Sequence, residues 1–545
     1  MHSHVSLASF AICALLPANA LCQRPPDPPH AGGNGFSVAG VVLQSGSNQP
    51  LKHVQVSLIS VEHRDTQLSC ITSENGQFTF SGLAAGKYSL QAQLHGFAQA
   101  YRGNEDYSTA IVVGPNLDSE HITFLFDAPA AISGTVMDPE GDPIRDAQVF
   151  LFHRGISSGR HRTMMQAQTN TDSSGAFHFG QLRPGTYFVA VSARPWYAVN
   201  SPVQVQSDQN SSQSAGAAEL DVAYPVTYYP DSLDAAGASP ITLSQGGAAE
   251  LSIALRPVPA LHLDLNTNTP QQGINVRVFA AGPGDAQLPI NAVQFNQENR
   301  QEILGLAPGH YVLTLDHFEQ GSTGNSGTKA IDLTSNATLD LDDLPKTSVS
   351  GQVQLEDAER PNGLSVWLVN VNSGRATGGS VAPDGSFKVE HGSVSPGQYA
   401  IRLGNTPKLY IKSVAVQGAD YSDGILHVVE GAAIQISAVV AKGLARVNGM
   451  AIKDGKPFPG AMVLLFPQGA QQGGYIPRDQ SDSDGTFTLQ LTPPGRYALV
   501  AIDDGRGLAY RDSSIIAPYL QQAEVIDVPV PADASVKVNV QPRRR

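Results

Sequence analysis

The feature that most constrains the fold is a pair of closely spaced turns that recurs along the chain. In residues 171–187, TDSSGAFHFGQLRPGTY, the segment 172–175 has the residue types of a type I turn and the segment 183–186 those of a type II turn. The run 176–179 alternates apolar and polar residues, as a half-buried strand does. The two turns therefore predict a compact β-hairpin unit.

The same unit returns in a constant register. The first turn reads SENG at 73–76, DSSG at 172–175, APDG at 382–385 and DSDG at 482–485, and each is followed by x-Phe. The second turn is present five times, and each copy ends in a tyrosine, namely Tyr88, Tyr187, Tyr311, Tyr399 and Tyr497. The glycines of the two turns are ten residues apart in three copies and twelve in the other. We infer four clear repeats and one degenerate repeat.

Each repeat also has the same strand signals around its turns. An opening strand contains a glycine, at Gly40, Gly134, Gly351 and Gly449, and a second strand places apolar residues at every other position. Two short apolar strands close each repeat, and helix signals are scarce. Short strands separated by turns at this density predict an all-β chain, a tandem array of about five small antiparallel β-sandwich domains.

These signals predict the domain organisation. The expected segments are a signal peptide at 1–20, a Pro/Gly-rich linker at 21–35, and β-sandwich repeats at 36–128, 129–257, 258–346, 347–442 and 443–545. Repeat 2 contains a long polar loop, and repeat 3 is degenerate because it lacks the first turn.

The amino terminus predicts export. An apolar run at 5–21 ends in Ala18-Asn19-Ala20, which suits signal-peptide cleavage, and no other apolar run is long enough to span a membrane. Leu21 before Cys22 argues against a lipoprotein signal. We therefore expect a secreted or cell-envelope protein with no transmembrane segment after signal removal. Whether Cys22 and Cys70 form a disulfide is open, and an inert strand cysteine at 70 is the favoured interpretation.

Composition excludes one class of partner. The net charge is −14 and only 15% of residues are charged. Binding to nucleic acid needs clustered Lys and Arg, so we expect no nucleic-acid partner.

Three motifs resemble chemical sites. The segment 155–159 matches the nucleophile-elbow pattern around Ser157, but a loop between strands is expected to follow it where an elbow needs a helix. The segment 482–485 resembles the start of a calcium loop, yet Pro493 stands where the twelfth-position Glu is needed, which favours a turn. The basic segment 160–162 is able to bind an anion, although a solvated loop is favoured. We predict no catalytic residue, no cofactor and no metal ligand.

Aromatic residues in repeat 2 form the one weak candidate for ligand binding. Ring stacking on a sugar needs exposed aromatic side chains, and the local enrichment consists of Trp196, Tyr197, Tyr224, Tyr228 and Tyr229. Two interpretations of these residues are open. They form a platform for a carbohydrate, or they cover one end of the sandwich, and the second interpretation is favoured.

Some strand positions that should face solvent carry apolar residues. They are Phe150, Phe152, Trp367, Val369, Leu464 and Phe466. We expect packing between neighbouring repeats to cover them, with a partner surface as the alternative.

The combined motif resembles the carboxypeptidase regulatory-like domain family. Repeat 2 carries it best, in the segments 132–136, 147–151, 171–179 and 182–189. The resemblance implies a transthyretin-like sandwich that serves as an accessory domain of exported or envelope proteins, without catalysis of its own.

These observations favour one function and leave two alternatives. The favoured function is an exported, non-enzymatic protein with a structural, adhesive or binding role at the cell envelope, partnered by an envelope protein or a glycan. The alternatives are a carbohydrate-binding protein and an accessory subunit of a separately encoded envelope hydrolase.

Overall fold

A computed structural model describes most of the chain after residue 34. It describes residues 35–63, 65–97, 100–101, 103–104, 107–200, 220–266, 274–297, 300–319, 322–341, 347–356, 360–371, 374–389, 394–405, 409–468, 476–529 and 534–544. The predicted signal peptide, linker and Cys22 lie outside these ranges. The chain divides into two compact units, one within Met1–His95, Gln99–Arg102 and Ala110–Phe126, and one comprising Gly96–Ala98, Gly103–Thr109 and Asp127–Arg545.

The strands group into five sandwiches, numbered here in chain order. Sandwich 1 contains β1 (Phe36–Gln44), β2 (Gln55–Ser60), β3 (Gln67–Ile71), β4 (Gln77–Leu83), β5 (Gly86–Gln93), β6 (Ala100–Tyr101), β9 (Ile111–Val113) and β10 (Ile122–Phe126). The short strands β7 (Gly103–Asn104) and β8 (Tyr107–Ser108) pair with each other. Sandwich 2 contains β11 (Ala130–Met137), β12 (Gln148–Ser157), β13 (Arg160–Asn170), β14 (Ala176–Leu182), β15 (Gly185–Ser192), β16 (Val222–Ala223), β17 (Thr227–Tyr228), β18 (Ile241–Leu243) and β19 (Ala248–Ala254).

The remaining three sandwiches follow in the second unit. Sandwich 3 contains β20 (Val258–Pro259), β21 (Leu261–Asn266), β22 (Ile274–Ala281), β23 (Gln287–Ile290), β24 (Val293–Gln297), β25 (Arg300–Leu306), β26 (Gly309–Glu319), β27 (Ser322–Leu333) and β28 (Ala337–Asp340). Sandwich 4 contains β29 (Ser348–Glu356), β30 (Ser365–Asn370), β31 (Ala376–Ser380), β32 (Ser386–Val389), β33 (Gly397–Gly404), β34 (Leu409–Gln417), β35 (Asp420–Ser422), β36 (Ile425–Val428) and β37 (Ala433–Lys442). Sandwich 5 contains β38 (Ala445–Lys453), β39 (Lys456–Pro457), β40 (Met462–Pro467), β41 (Arg478–Gln480), β42 (Thr486–Thr492), β43 (Gly495–Ile502), the helix α1 (Ser513–Leu520), β44 (Glu524–Val528) and β45 (Ala534–Gln541).

One sheet plan is common to all five sandwiches. In sandwich 2, β11 pairs antiparallel with β14 and parallel with β19, while β12 lies between β13 and β15 in the facing sheet. The same parallel pairing joins the opening strand to the last strand in the others, as in β1 with β10 and β29 with β37. The core of sandwich 2 lies between its two sheets and includes Ile132, Val149 and Val189. The predicted fold class, a tandem array of small β-sandwiches, is confirmed, and the parallel pair is a detail that the sequence pattern did not specify.

The first turn adopts the predicted geometry. The N–H of Gly175 donates to the carbonyl of Asp172 at 3.0 Å, and Gly175 has a φ of +72°. Asp172 Oδ1 accepts hydrogen bonds from the side chain and N–H of Ser174 and from the N–H of Ala176, which lower the pKa of Asp172. In the calcium-like segment, Asp484 accepts from the N–H of Thr486 in the same manner at 2.9 Å. Both segments are therefore turns closed by their own side chains.

Sandwich 3 keeps the sheet plan although its sequence lacks the first turn. β21 pairs antiparallel with β25 and parallel with β28. In place of the missing turn, β24 forms an antiparallel pair with β25. The repeat is thus degenerate in sequence and complete in strand pairing.

The apolar residues Phe150, Phe152 and Leu464, at outward strand positions, are covered by different parts of the chain. Phe150 and Phe152 are buried with Phe188, Tyr228 and Leu288, and Leu288 comes from sandwich 3. Leu464 is buried under α1. Contact between sandwiches, the expectation from sequence, is thus found in sandwich 2, whereas in sandwich 5 the cover is a helix that the sequence analysis did not predict.

Two smaller observations complete the fold. Cys70 is buried on β3. Among the described residues, no helix has the length and apolar character needed to cross a membrane.

Candidate ligand-binding cavity

A polar cavity of about 300 Å³ lies where sandwich 2 meets sandwich 3. Sandwich 2 contributes the ends of β13 and β15, with Asn170 and Ser192, and the segment that contains Asn200. Sandwich 3 contributes Asn291, between β23 and β24, and residues of β25. Side-chain amides and hydroxyls therefore face the cavity from both sandwiches.

Asn200 has an unsatisfied acceptor at this cavity. Its Nδ2 donates to Asp221 Oδ1 at 2.9 Å, and because an ionised carboxylate only accepts, this bond fixes the orientation of the amide. Its Oδ1 is buried and has no hydrogen-bond partner among the described residues. A buried acceptor without a partner costs free energy, so a ligand hydroxyl or a water molecule at this point would be stabilising.

Three of the five predicted aromatic residues lie together beside the cavity. Tyr224 lines the cavity. Burial raises the pKa of Tyr224 to about 12, and the nearby Tyr197 adds to the shift. Trp196 packs edge-on against Tyr197, with ring centroids 5.8 Å apart, and is 86% exposed. The remaining face of the Trp196 indole is therefore open to a ligand.

The other two predicted residues are not available at the surface. Tyr228 is buried with Phe150 and Phe152, and its hydroxyl donates to the carbonyl of Ala281. Burial also raises the pKa of Tyr228. Tyr229 is half-buried and packs against the core of sandwich 2. These two tyrosines act as a cover for the sandwich, which was the interpretation favoured from sequence.

The polar wall of the cavity has no signal in the sequence. Asn170, Asn200 and Asn291 are isolated amides in loops or at strand ends, and asparagine is common at such positions. They come together only because sandwiches 2 and 3 pack against each other, so no local pattern marks them.

A buried hydrogen-bonded network lies beside the cavity. His262 Nε2 is 2.8 Å from Asp221 Oδ2, and His262 Nδ1 is 3.0 Å from Glu302 Oε1. The two carboxylates lie against opposite ring nitrogens, so the three side chains do not converge on one point. Among the described residues, no group of His, Cys, Asp and Glu is arranged to hold a metal ion.

The elbow-like segment forms a β-hairpin. Ser157 is the last residue of β12, and β13 begins at Arg160 after a two-residue turn. A nucleophile elbow requires a helix at this point. Ser157 therefore lies in a β-hairpin and not in a nucleophile elbow.

The fold defines a tandem β-sandwich protein, and comparison with known families identifies part of it. The carboxypeptidase regulatory-like domain model matches residues 37–119 and 131–216. Two segments of the chain thus match this domain family, in agreement with the resemblance carried by the sequence motif. A comparison with curated proteins gave no match.

Several solved pilin structures are similar to the chain, with low sequence identities and low TM-scores. The minor pilin of Streptococcus agalactiae is 14% identical, covering 41% of this chain and 97% of its own, with a TM-score of 0.23. The shaft pilin of Lactobacillus rhamnosus GG is 11% identical, covering 41% of this chain and 98% of its own, with a TM-score of 0.19. The major pilin subunit of Bacillus cereus is 10% identical, covering 93% of this chain and 99% of its own, with a TM-score of 0.14.

Proposed function

We propose that the chain is an exported, non-enzymatic protein that has a structural, adhesive or binding role at the cell envelope. The sequence of its amino terminus supports export. The repeat motif supports a non-catalytic role, because its polar side chains, such as Tyr187 and Asp172, bond the backbone of their own turns. We also retain the five-repeat division, with the bounds given above, as a proposal.

Fractionation and an activity screen test this proposal. Full-length protein expressed with its own amino terminus should be recovered shortened by about twenty residues in the secreted or envelope fraction. Purified protein should be inactive in a broad screen of peptide, ester and glycoside substrates. Hydrolysis that is abolished by one substitution would refute the non-enzymatic role, and stable co-purification with an envelope hydrolase would instead support the accessory-subunit alternative.

We further propose that the bound ligand is a carbohydrate at the cavity beside Tyr224. The observation that carries this proposal is the buried, unsatisfied Oδ1 of Asn200, which lies next to other side-chain amides and close to the exposed ring of Trp196. Sugars are recognised by planar polar side chains that bond hydroxyls and by aromatic rings that pack on the apolar ring face. A cavity of about 300 Å³ suits a mono- or disaccharide.

A glycan array followed by calorimetry tests the ligand class. We expect Trp196→Ala to weaken binding of the best glycan about fivefold, the size expected for one lost aromatic contact. Asn200→Ala should weaken it further because it removes the hydrogen-bonding wall. The matched control is Trp367→Ala on sandwich 4, whose ring is 39% exposed and which should bind as the unsubstituted protein does.

Two results would overturn the carbohydrate proposal. One is an array on which no glycan binds. The other is equal affinity in the unsubstituted protein, Trp196→Ala and Asn200→Ala. Tyr228 is left unsubstituted in these tests, because it is buried and its replacement would disturb the sandwich itself.

A further inference from the structure

The side-chain amide of Asn200 is held at the cavity in one orientation. Its Nδ2 donates to Asp221 Oδ1 at 2.9 Å and to the carbonyl oxygen of Val222 at 3.4 Å. Turning the amide over would place Asn200 Oδ1 against two acceptor oxygens and would lose both hydrogen bonds. The N–H groups of Asn200 therefore point toward Asp221 and Val222, and its oxygen points away from them.

His262 keeps Asp221 Oδ1 an acceptor. His262 Nε2 lies 2.8 Å from the second carboxyl oxygen, Asp221 Oδ2, and the His262 side chain is only 6% exposed. A proton on this carboxyl group would be held between Oδ2 and Nε2, so Oδ1 stays an acceptor whether His262 or Asp221 carries the proton. The backbone of Asp221 is fixed as well, because its carbonyl accepts from the N–H of Ala260 at 2.9 Å.

The oxygen of Asn200 lies in a space that sandwich 3 leaves for it. Gly305, on β25, has a φ of +72°, and a Cβ there would lie 2.6 Å from Asn200 Oδ1. Both residues line the cavity. Asn200 Oδ1 is buried and has no hydrogen-bond partner among the described residues. It is therefore an acceptor that is left for a group inside the cavity.

An acceptor at this point favours ligands that place a donor against it. A hydroxyl or an N–H group beside Asn200 Oδ1 forms a hydrogen bond, whereas an ether or carbonyl oxygen meets a second acceptor. A ligand without a donor displaces water from Oδ1 and leaves the atom unsatisfied, which costs affinity.

We propose that Asp221, held by His262, is a positioning residue that determines the specificity of the cavity. It orients Asn200 as an acceptor, so the ligand group that contacts Asn200 is a hydrogen-bond donor, a hydroxyl or an N–H group. This role of Asp221 rests on the function proposed above, in which a ligand occupies the cavity. A sugar bound there needs one free hydroxyl at this point, and fluorine cannot replace that hydroxyl because it has no proton to donate.

The orientation of Asn200 is tested first without a ligand. The full chain is produced with isotope-labelled asparagine, and the side-chain NH2 signal of Asn200 is assigned by its loss in Asn200→Ala. In the unsubstituted protein the hydrogen bond to Asp221 should protect these protons from exchange with water. Asp221→Asn replaces the acceptor that holds them, so their exchange should become about tenfold faster.

Ligand discrimination is then measured by calorimetry. The probes are the methyl glycosides of glucose, galactose and mannose, each with the analogues in which one hydroxyl is replaced by fluorine. For a glycoside that binds, one analogue should bind about tenfold more weakly, the size expected when a buried acceptor loses its donor. In Asp221→Asn this ratio should fall to about twofold, because the Asn200 amide is then able to turn its N–H groups to the cavity. General loss of structure would weaken the glycoside and its analogue alike and leave the ratio unchanged.

Two controls accompany these measurements. Asp332→Asn makes the same substitution at another aspartate beside a histidine, since Asp332 Oδ1 lies 2.6 Å from His310 Nδ1. Both are described residues of sandwich 3 that do not line the cavity, so exchange at Asn200 and the binding ratio should stay as in the unsubstituted protein. In an Asn200→Ala background, Asp221→Asn should not change the ratio further, because the amide that it orients is gone.

The two measurements separate this role of Asp221 from the carbohydrate proposal. Unchanged exchange of the Asn200 amide protons in Asp221→Asn, or an unchanged binding ratio, would overturn the role of Asp221. Protection of the Asn200 protons that depends on Asp221, together with no binding of any glycoside, would support the positioning by Asp221 and count against the carbohydrate alone.

Discussion

The tyrosine of the second turn makes the same hydrogen bond in every sandwich. Its hydroxyl donates to the carbonyl four residues earlier, at distances between 2.7 and 3.0 Å. The pairs are Tyr88 with Ala84, Tyr187 with Arg183, Tyr311 with Ala307, Tyr399 with Ser395 and Tyr497 with Pro493. The ring fills the core while the hydroxyl closes the turn, which explains why tyrosine and not phenylalanine occupies this position.

The hydrogen bond of Tyr497 should contribute more to stability than that of Tyr88. The Tyr497 bond is buried, so Tyr497→Phe leaves a carbonyl without its donor and away from water, at a cost of about 1–3 kcal/mol. The Tyr88 bond is only partly buried, so Tyr88→Phe should cost about 1 kcal/mol. Hydrogen exchange of β43 and β5 amides in the full chain measures both. Equal costs at the two sites would contradict the burial argument.

At the scale of the element, the first turn depends on glycine for two reasons. Gly175 has a φ of +72°, and a Cβ there would lie 2.5 Å from the carbonyl oxygen of Val136 on β11. The carbonyl of Gly175 in turn accepts from the N–H of Val136 at 2.8 Å. The turn is therefore pressed against the opening strand and fixes the position of that strand.

Gly175→Ala should be much more destabilising than Gly141→Ala. Both glycines have positive φ, but a Cβ at Gly141 would meet nothing within 4 Å. Gly141→Ala should thus cost only the left-handed backbone term of about 1–2 kcal/mol. Gly175→Ala adds the clash with Val136 and should cost clearly more. The check is hydrogen exchange of the β11 and β14 amides, and similar protection in the two variants would show that the close approach is unimportant.

The strands and the first turn could be predicted because their signals are local, whereas the predicted hairpin is wrong, because β14 pairs with β11 and β15 pairs with β12 in the facing sheet. The turn glycines, the alternating strands and the spacing to Tyr187 all lie within a few residues of one another. The helix α1 could not be predicted in this way: it has eight residues, contains Pro518, and forms where Leu464 and Val500 need a cover. The cavity amides around Asn200 could not be predicted for a related reason, since their neighbours come from another sandwich.

At the scale of the whole molecule, apolar contacts couple sandwich 2 to sandwich 3. Leu288 lies on β23 of sandwich 3 but is buried against Phe150 and Phe152 of sandwich 2. The core of sandwich 3 is a separate cluster that includes Leu313. The contact therefore joins two sandwiches that each have their own core.

Leu288→Ala should uncouple the two sandwiches. Truncating a fully buried leucine costs about 2–5 kcal/mol, and here the loss falls on the contact between sandwiches. Hydrogen exchange should then rise in β12 of sandwich 2 as well as in β23. Leu313→Ala is the matched control and should raise exchange within sandwich 3 first. Unchanged exchange of β12 in Leu288→Ala would mean that the sandwiches unfold independently.

The same junction contains the buried hydrogen-bonded network of His262. Asp221 precedes β16, which pairs with β20 of sandwich 3, and Glu302 lies on β25. The two ring nitrogens of His262 are bonded to carboxyl groups from opposite sides of the junction, and Glu302 is almost completely buried. The imidazole therefore links the two carboxyl groups by hydrogen bonds.

Removing one member of this network should cost more than removing two. His262→Leu removes the hydrogen bond between His262 Nδ1 and the buried Glu302 carboxyl group, and losing one partner of a buried hydrogen bond costs about 1–3 kcal/mol. The double variant His262→Leu/Glu302→Leu also removes the buried carboxyl group, and Asp221 is partly exposed and regains water, so the double variant should be more stable than His262→Leu alone. Denaturant unfolding of the full chain, followed by hydrogen exchange at β21 and β25, makes the comparison. Costs that add in the double variant would show that His262 and Glu302 act independently, and the junction would then depend on its apolar contacts alone.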